Sequence, residues 1–109
     1  MTVDIFAKKC GFSVLSLPAP DKEVSGAYVG DLLSWVMGKA ESGNVWITIM
    51  SNVNVCAVAA LSDCSCILLA EGVRLDDDVL SVAENKGINV LSTELSAFKA
   101  SLKIAELVL

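Results

Sequence analysis

The strongest constraint on the fold is a set of short apolar runs that alternate with helical segments in the second half of the chain. The runs lie at 45–50, 66–70 and 88–91. Apolar residues dominate each run without a regular alternation, which is typical of strands that are covered on both faces. Helical segments are predicted between and after them, at 55–61, 76–86 and 94–108. This alternation predicts an α/β layered domain with right-handed crossovers and a mainly parallel sheet of about five strands flanked by helices.

The first half of the chain carries weaker signals. Its predicted elements are a helix, two strands and a second helix, at 2–10, 12–17, 23–29 and 31–40. A loop with two prolines lies between the two strands, at 17–22. Because this loop is too short to separate two domains, we expect one domain over residues 1–109.

Composition and charge exclude several classes of protein. Hydrophobic residues make up 54% of the chain, enough to bury a core, so disorder is not expected. The longest uninterrupted apolar run, Val55 to Leu61, is far shorter than the ~20 residues of a membrane-spanning helix. The net charge is −5 and Arg74 is the only arginine, so we expect neither a nucleic-acid nor a membrane partner. No signal peptide is recognisable, which predicts a cytoplasmic location.

Residues that carry common enzyme chemistry are scarce. The chain has no histidine, the commonest general base and metal ligand. Cys64 and Cys66 form the closest cysteine pair, and their spacing suits neither a zinc site nor a redox dithiol. All four cysteines are interpreted as small buried hydrophobes, with a metal or redox role as the alternative. Acids at 76–78 are interpreted as helix-start residues rather than a magnesium site. With no glycine-rich phosphate loop either, we expect no catalytic residue, metal or cofactor.

Polar residues follow three of the predicted strands, at 51–54, 71–72 and 92–93. In open α/β sheets, ligands bind beyond the carboxyl ends of the strands. Each polar segment also lies near a helix start, where N–H groups can hold an anion or a polar ligand. Ordinary helix capping is the alternative explanation. The candidate ligand-binding residues from this argument are Ser51, Asn52, Asn54, Ser92 and Thr93.

Two apolar features have competing explanations. Trp46 lies in a predicted buried strand, so we interpret it as a packing residue rather than a stacking platform. The last predicted helix ends in a group of apolar side chains, at Ile104, Leu107, Val108 and Leu109. A domain this small has little room to bury that surplus, so we interpret it as the surface of a homodimer or of a protein partner.

Four segments, taken in order, resemble the DRTGG domain family: 23–34, 43–49, 54–61 and 87–93. The resemblance covers nearly the whole chain and keeps the order of its elements. The motif that names the family is Asp-Arg-Thr-Gly-Gly, and residues 23–27 (Glu-Val-Ser-Gly-Ala) retain only Gly26 unchanged. Glu23 for Asp and Ser25 for Thr preserve the chemistry, whereas the missing Arg removes an anion contact.

The resemblance implies a non-catalytic module. Similar domains lie at the front of HPr serine kinase/phosphatase, within some phosphotransacetylases and between paired CBS domains of certain pyrophosphatases. The fold is distantly related to the N-terminal domain of Mur ligases. In HPr kinase the phosphate loop belongs to a separate domain, and this chain has no such loop.

The resemblance also extends the candidate site and names a function. It adds Ser25 and Gly26 to the candidate ligand-binding residues. It implies a stand-alone regulatory or ligand-sensing domain, bacterial or archaeal, that binds a nucleotide or small metabolite and forms a homodimer. A purely structural protein–protein interaction module with no small ligand is the alternative.

Overall fold

Ten elements follow one another along residues 1–108, the part of the chain that the computed structural model describes. The helices are α1 (Val3–Cys10), α2 (Leu33–Lys39), α3 (Asn54–Leu61), α4 (Asp77–Lys86) and α5 (Ala97–Val108). The strands are β1 (Ser13–Ser16), β2 (Ala27–Val29), β3 (Val45–Thr48), β4 (Cys66–Leu69) and β5 (Val90–Ser92). The predicted α/β class is confirmed.

The five strands form one sheet in the order β1-β5-β4-β3-β2. Strands β2 to β5 are parallel neighbours, and β1 joins the far side of β5 in the antiparallel direction. Each step from β2 to β5 passes through one helix, and α2, α3 and α4 all pack on the same face of the sheet. The parallel strands therefore contain no topological switch point, the place where open α/β sheets usually open a ligand crevice.

Helices cover both faces of the sheet, which explains the consecutive apolar runs. Every residue of β3 and β4 is buried. On one face, Trp46, Ile67 and Leu69 pack beneath α2, α3 and α4. On the other, Ile47 and Leu68 pack beneath α1 and α5. Strands covered on both faces favour apolar residues at nearly every position, and Thr48 is the polar exception in β3.

Strand β2 is shorter than the predicted strand at 23–29. The segment before it turns instead of pairing with β3, because Gly26 has a φ of 67°, outside the extended region. The Val24 N–H donates to the carbonyl of Met1, and the Ser25 N–H donates to the carbonyl of Gly43. Pairing with β3 therefore begins only at Ala27.

The apolar end of α5 lies mostly inside the protein. Ile104 is 2% exposed and belongs to the core between α5 and the sheet. Leu107 and Val108 are partly buried and pack against the same core, while Leu109 lies outside the described residues. The interpretation of this end as a partner surface is therefore wrong for Ile104. The Ile104 side chain packs into the same core as the buried residues of α1. The sequence pattern does not reveal this packing.

The cysteines and Trp46 lie where packing residues are expected. All four cysteines are buried and unpaired. Burial raises the pKa of the Cys64 thiol to about 11 and that of Cys66 to about 12, so both stay protonated at neutral pH. Trp46 is fully buried and its Nε1 donates to the Gly30 carbonyl over 2.9 Å. Among the described residues, no helix has the length and apolar content needed to cross a membrane.

Candidate functional site

The seven predicted ligand-binding residues lie at opposite ends of the parallel strands. Ser25 and Gly26 precede β2, so they lie at the amino ends. The other residues follow β3 or β5, or close β5, at the carboxyl ends: Ser51, Asn52, Asn54, Ser92 and Thr93. One pocket built from all seven is therefore not formed. The prediction drew five residues from the rule that ligands bind at carboxyl strand ends and two from the family motif. The two groups do not meet, because the motif loop lies before its strand and not after it.

At the carboxyl ends, the backbone N–H groups are already used within the chain. Asn52 Oδ1 accepts from the N–H of Asn54 over 2.9 Å, and Thr93 Oγ1 accepts from the N–H of Leu95 over 3.2 Å. The N–H of Gly72 donates to the Thr93 carbonyl over 2.9 Å. These bonds resemble the capping that was the alternative explanation. The groups left for a ligand are the exposed side chains of Ser51 and Asn54 and the Nδ2 of the exposed Asn52.

Asp31 also lies at the carboxyl ends of the strands, and it was not among the predicted site residues. Its Oδ1 accepts from Thr48 Oγ1 over 2.7 Å and from the Ile49 N–H over 3.0 Å. Thr48 Oγ1 in turn accepts from the Met50 N–H over 3.1 Å. The sequence pattern predicted that Asp31 starts a helix, but α2 begins at Leu33. The carboxylate instead ties the end of β2 to the end of β3.

At the amino ends, three turns border an open cavity of about 330 Å³. The cavity is lined by Lys22, Glu23, Ser25, Ser42, Gly43, Asp63 and Ser65. Backbone hydrogen bonds join the turns, because Ser25 donates to the Gly43 carbonyl and Gly43 donates to the Asp63 carbonyl, each over 2.8 Å. We call this space the amino-end cavity. The motif loop therefore lies against two turns that are distant in sequence.

Asn44 is the buried centre of this arrangement. Its Nδ2 donates to the Ser25 carbonyl over 2.6 Å, and its Oδ1 accepts from the Glu41 N–H over 2.9 Å. A Cβ added to Gly26 would lie 3.2 Å from Asn44 Nδ2, and the positive φ of Gly26 already disfavours any side chain. The motif glycine therefore shapes the loop, while the exposed Ser25 faces the cavity.

Charges of both signs border the amino-end cavity. Lys22 Nζ lies 3.6 Å from Asp63 Oδ1 and 3.4 Å from the Cys64 carbonyl, so its three N–H donors are only weakly engaged. The Ser42 hydroxyl donates to Asp63 over 2.5 Å, and this bond, followed by nearby Lys22, lowers the pKa of the Asp63 carboxyl. Glu23 adds a second carboxylate, whose Oε2 accepts from the amino group of Met1 over 3.1 Å. Together with the serine hydroxyls, these groups offer donors and acceptors to a polar ligand.

The positions of the acidic residues do not support the alternative hypothesis of a metal site. Within residues 1–108, no three cysteine or acidic side chains converge in a way that suits a metal ion. Asp77 and Asp78 lie in the first turn of α4, and Asp76 precedes it without a side-chain capping bond. Acids at this position complement the helix dipole.

Comparison with known proteins names the family. A profile of the DRTGG domain matches residues 23–107. The chain belongs to the DRTGG domain family. Its match begins at Glu23, in the loop that lines the amino-end cavity. No curated protein matches the chain.

A solved structure shares the fold of this DRTGG domain. It comprises the CBS and DRTGG domains of the regulatory region of Clostridium perfringens pyrophosphatase, complexed with the activator diadenosine tetraphosphate. The TM-score is 0.72 at 16% identity, and the match covers 94% of this chain and 45% of that one. This chain therefore spans less than half of the neighbour's length.

Sequence reasoning missed most residues of the amino-end cavity. Ser25 was predicted, whereas Lys22, Ser42, Asp63 and Ser65 were not. The predicted site followed the rule that ligands bind at carboxyl strand ends. A usable signal was present in the polar residues at 42–44 and 62–65, which come directly before two buried strands. Amino ends of parallel strands also meet at one edge, so these turns were bound to lie together.

Proposed function

We propose that this DRTGG domain is a non-catalytic regulatory module that senses a nucleotide or small metabolite. The proposal rests on the amino-end cavity, where the family's motif loop meets two other polar turns beside Lys22. A regulatory region with the same fold is complexed with a nucleotide activator, which supports the choice of ligand class. We also propose that the protein is cytoplasmic and forms homodimers.

The charges of the cavity favour a particular kind of nucleotide. Lys22 and the Ser25 hydroxyl can donate to phosphate oxygens, and the carboxylates of Glu23 and Asp63 can accept from sugar hydroxyls. Glu23 Oε2 is paired with the amino group of Met1 and Asp63 Oδ1 lies near Lys22 Nζ, so two carboxylates stand beside two ammonium groups. The cavity therefore carries no excess of positive charge to attract a ligand with several negative charges. We therefore expect a nucleoside or nucleoside monophosphate to bind better than a triphosphate.

The position of the cavity provides a route for regulation. Its turns lead directly into β2, β3 and β4. A ligand that contacts Lys22, Ser25 and Asp63 at once adds further links between segments that backbone bonds and the side chains of Ser42 and Asn44 already join. Such bridging stabilises the liganded form, and a partner surface elsewhere on the sheet can respond to that change.

Thermal unfolding with adenosine, AMP, ATP and inorganic phosphate tests the proposal. A ligand at 100 times its Kd adds about 2.7 kcal/mol of stability, which raises the Tm of a domain this size by roughly 10 °C. We expect AMP or adenosine to give the largest shift. Lys22→Ala and Asp63→Asn should abolish it, whereas the matched exposed change Lys99→Ala should leave it intact.

The carboxyl-end residues form a second candidate site and are tested in the same assay. If Asn52→Ala or Thr93→Ala removes the ligand shift while Lys22→Ala does not, the ligand binds at the carboxyl ends. If none of the four compounds shifts the Tm or binds by calorimetry, the nucleotide proposal is rejected.

A purely structural interaction module is the second candidate function. One observation favours it: Phe98 and Leu102 of α5 are 72% and 53% exposed, although both are large and apolar. Such side chains on a small domain are typical of a partner surface. This function predicts a stable assembly whose formation does not depend on any of the four compounds.

A further inference from the structure

The two edges of the sheet differ in how they are protected from other chains. Along β1, the pairing with β5 shifts register between Val14 and Ser16, and two prolines follow the strand at Pro18 and Pro20. Along β2, the pairing with β3 is regular, and residues 26–30 contain no charge and no proline. Proteins usually shield a free edge with bulges, prolines or charges, or by keeping the edge strand very short. The β2 edge has no bulge, proline or charge, and its length of three residues is its only protection among the described residues.

Hydrogen-bonding groups on the outer side of β2 are unused. Gly26 accepts from the Val45 N–H and Gly30 donates to the Ile47 carbonyl, each over 3.1 Å, so both glycines face β3. Backbone groups alternate sides along a strand, and the N–H and C=O of Ala27 and Val29 therefore point away from β3. Within residues 1–108, these groups have no backbone partner.

An apolar groove runs beside this edge. It has a volume of about 470 Å³ and lies between β2 and α5. Ala27 and Val29 line it from the strand, and Phe98 and Leu102 line it from the helix. Val29 is 51% exposed. We call this surface, with its four side chains and the free backbone of β2, the β2–α5 groove.

We propose that a second copy of this chain covers the β2–α5 groove, by antiparallel pairing of the two β2 strands about a two-fold axis at Tyr28. In this register Ala27 of each copy faces Val29 of the other. Each facing pair exchanges two backbone hydrogen bonds, giving about four across the interface. The axis is normal to the sheet, so both α5 helices lie on the same side and the two grooves join into one.

The shape and charge of the edge favour a second copy over an unrelated peptide. The free edge holds only Ala27 to Val29, because the chain turns at Gly26 and its pairing ends at Gly30. So short a ladder holds an extended peptide weakly, whereas two copies cover two grooves at once. Two chains of net charge −5 repel each other, and the uncharged segment 26–30 lets them approach without like charges opposite each other. Among residues 1–108, Glu41 is the one charged residue that lines the groove.

The proposed interface rests on the homodimer part of the proposed function, and sedimentation equilibrium of the full chain tests both. The wild type is expected to have twice the 11.5 kDa mass of one chain. Leu102→Lys places a charge in the joined groove. Val29→Pro removes an N–H that points away from β3, while the hydrogen bonds of Tyr28 and Gly30 to β3 remain. Both variants are expected to be folded monomers by circular dichroism. The matched control is Leu61→Lys, at a 77% exposed leucine of α3 on the other face, and it should stay dimeric.

A cysteine at the two-fold axis tests the register. In the non-hydrogen-bonded pair of an antiparallel ladder the Cα atoms lie about 4.5 Å apart, within the range of a disulfide. Mild oxidation of Tyr28→Cys should therefore give a covalent dimer. Leu61→Cys should give none, because residue 61 lies on the other face, away from the proposed interface. The four native cysteines are buried and should not cross-link. A monomeric wild type overturns both the interface and the homodimer. A dimer that survives Leu102→Lys and Val29→Pro, or a Tyr28→Cys variant that does not cross-link, overturns this interface alone.

Discussion

The two ends of the parallel strands are held together in different ways. At the amino ends, buried asparagines bridge distant segments: Asn89 Nδ2 donates to the Ala19 carbonyl over 2.7 Å and to the Ser65 carbonyl over 3.0 Å. At the carboxyl ends, the side chains of Asn52 and Thr93 bond to backbone only two residues away. The amino ends therefore depend on tertiary contacts, and the carboxyl ends mainly on local turns.

This difference shows where the fold is fixed and where it tolerates change. A buried polar group needs its partner, because an unsatisfied donor or acceptor in the interior is unfavourable by about 1–3 kcal/mol. An exposed turn residue that loses its bond regains one from water. Substitutions at the amino ends should accordingly destabilise the protein more than chemically matched substitutions at the carboxyl ends.

The largest expected effect is that of Asn89→Ala. Asn89 is 1% exposed, and its loss leaves the Ser65 carbonyl and the Ala19 N–H without their partner. The Ala19 carbonyl keeps only the Lys22 N–H, over 3.3 Å. We expect the free energy of unfolding to fall by about 3 kcal/mol, measured by urea denaturation. The matched control, Asn52→Ala, removes one exposed local bond and should lower it by less than about 0.5 kcal/mol. Similar losses in the two variants would show that the ends do not differ.

Gly26→Ala should have the next largest effect. The alanine must adopt a φ near 67° and place its Cβ 3.2 Å from Asn44 Nδ2. We expect a loss of about 1–2 kcal/mol in the free energy of unfolding. The control is Gly38→Ala, in the last turn of α2, where an added Cβ meets no atom within 4 Å. That change should stabilise the protein by about 0.5–1 kcal/mol, so the two glycines should respond with opposite signs.

Thr48→Val probes a side-chain bridge between strands at the carboxyl ends. Valine keeps the shape of threonine but loses the hydroxyl that donates to Asp31 and accepts from the Met50 N–H. We expect a loss of about 1 kcal/mol in the free energy of unfolding. A loss as large as that of Asn89→Ala would mean that the carboxyl ends also depend on tertiary hydrogen bonds.

The smallest expected effect is a shift of acid unfolding in Ser42→Ala. The Ser42 hydroxyl lowers the folded-state pKa of Asp63 below its usual 3.8. Stability from this carboxylate is complete above pH 3.8 and is lost as the pH falls through the lower folded-state pKa. Without the hydroxyl, acid unfolding should begin at a slightly higher pH, and stability at pH 7 should change little because Asp63 is largely exposed. Ser81→Ala, on the exposed side of α4, is the control and should unfold in acid as the wild type does.

Much of the fold was predictable because its signals are local. Consecutive apolar residues identified β3 and β4, and Gly11 and Gly87 mark the ends of α1 and α4 in the left-handed conformation that favours glycine. The start of β2 was predicted four residues too early, because the φ of Gly26 depends on its packing against Asn44. The candidate site was predicted only at Ser25, since its other residues come from turns that are distant in sequence.

The sequence by itself determined the α/β class, the burial of β3 and β4 and the membership of the DRTGG family. Periodicity and motif carry this information along the chain, and it does not depend on which strands become neighbours. The tertiary structure decided that β1 lies beside β5, that Ser25 faces Asp63 and that Ile104 is buried while Phe98 is exposed. Each of these outcomes depends on how the elements pack together in three dimensions. The spacing of apolar residues along a helix is the same whether a given side chain fills the core or borders a groove.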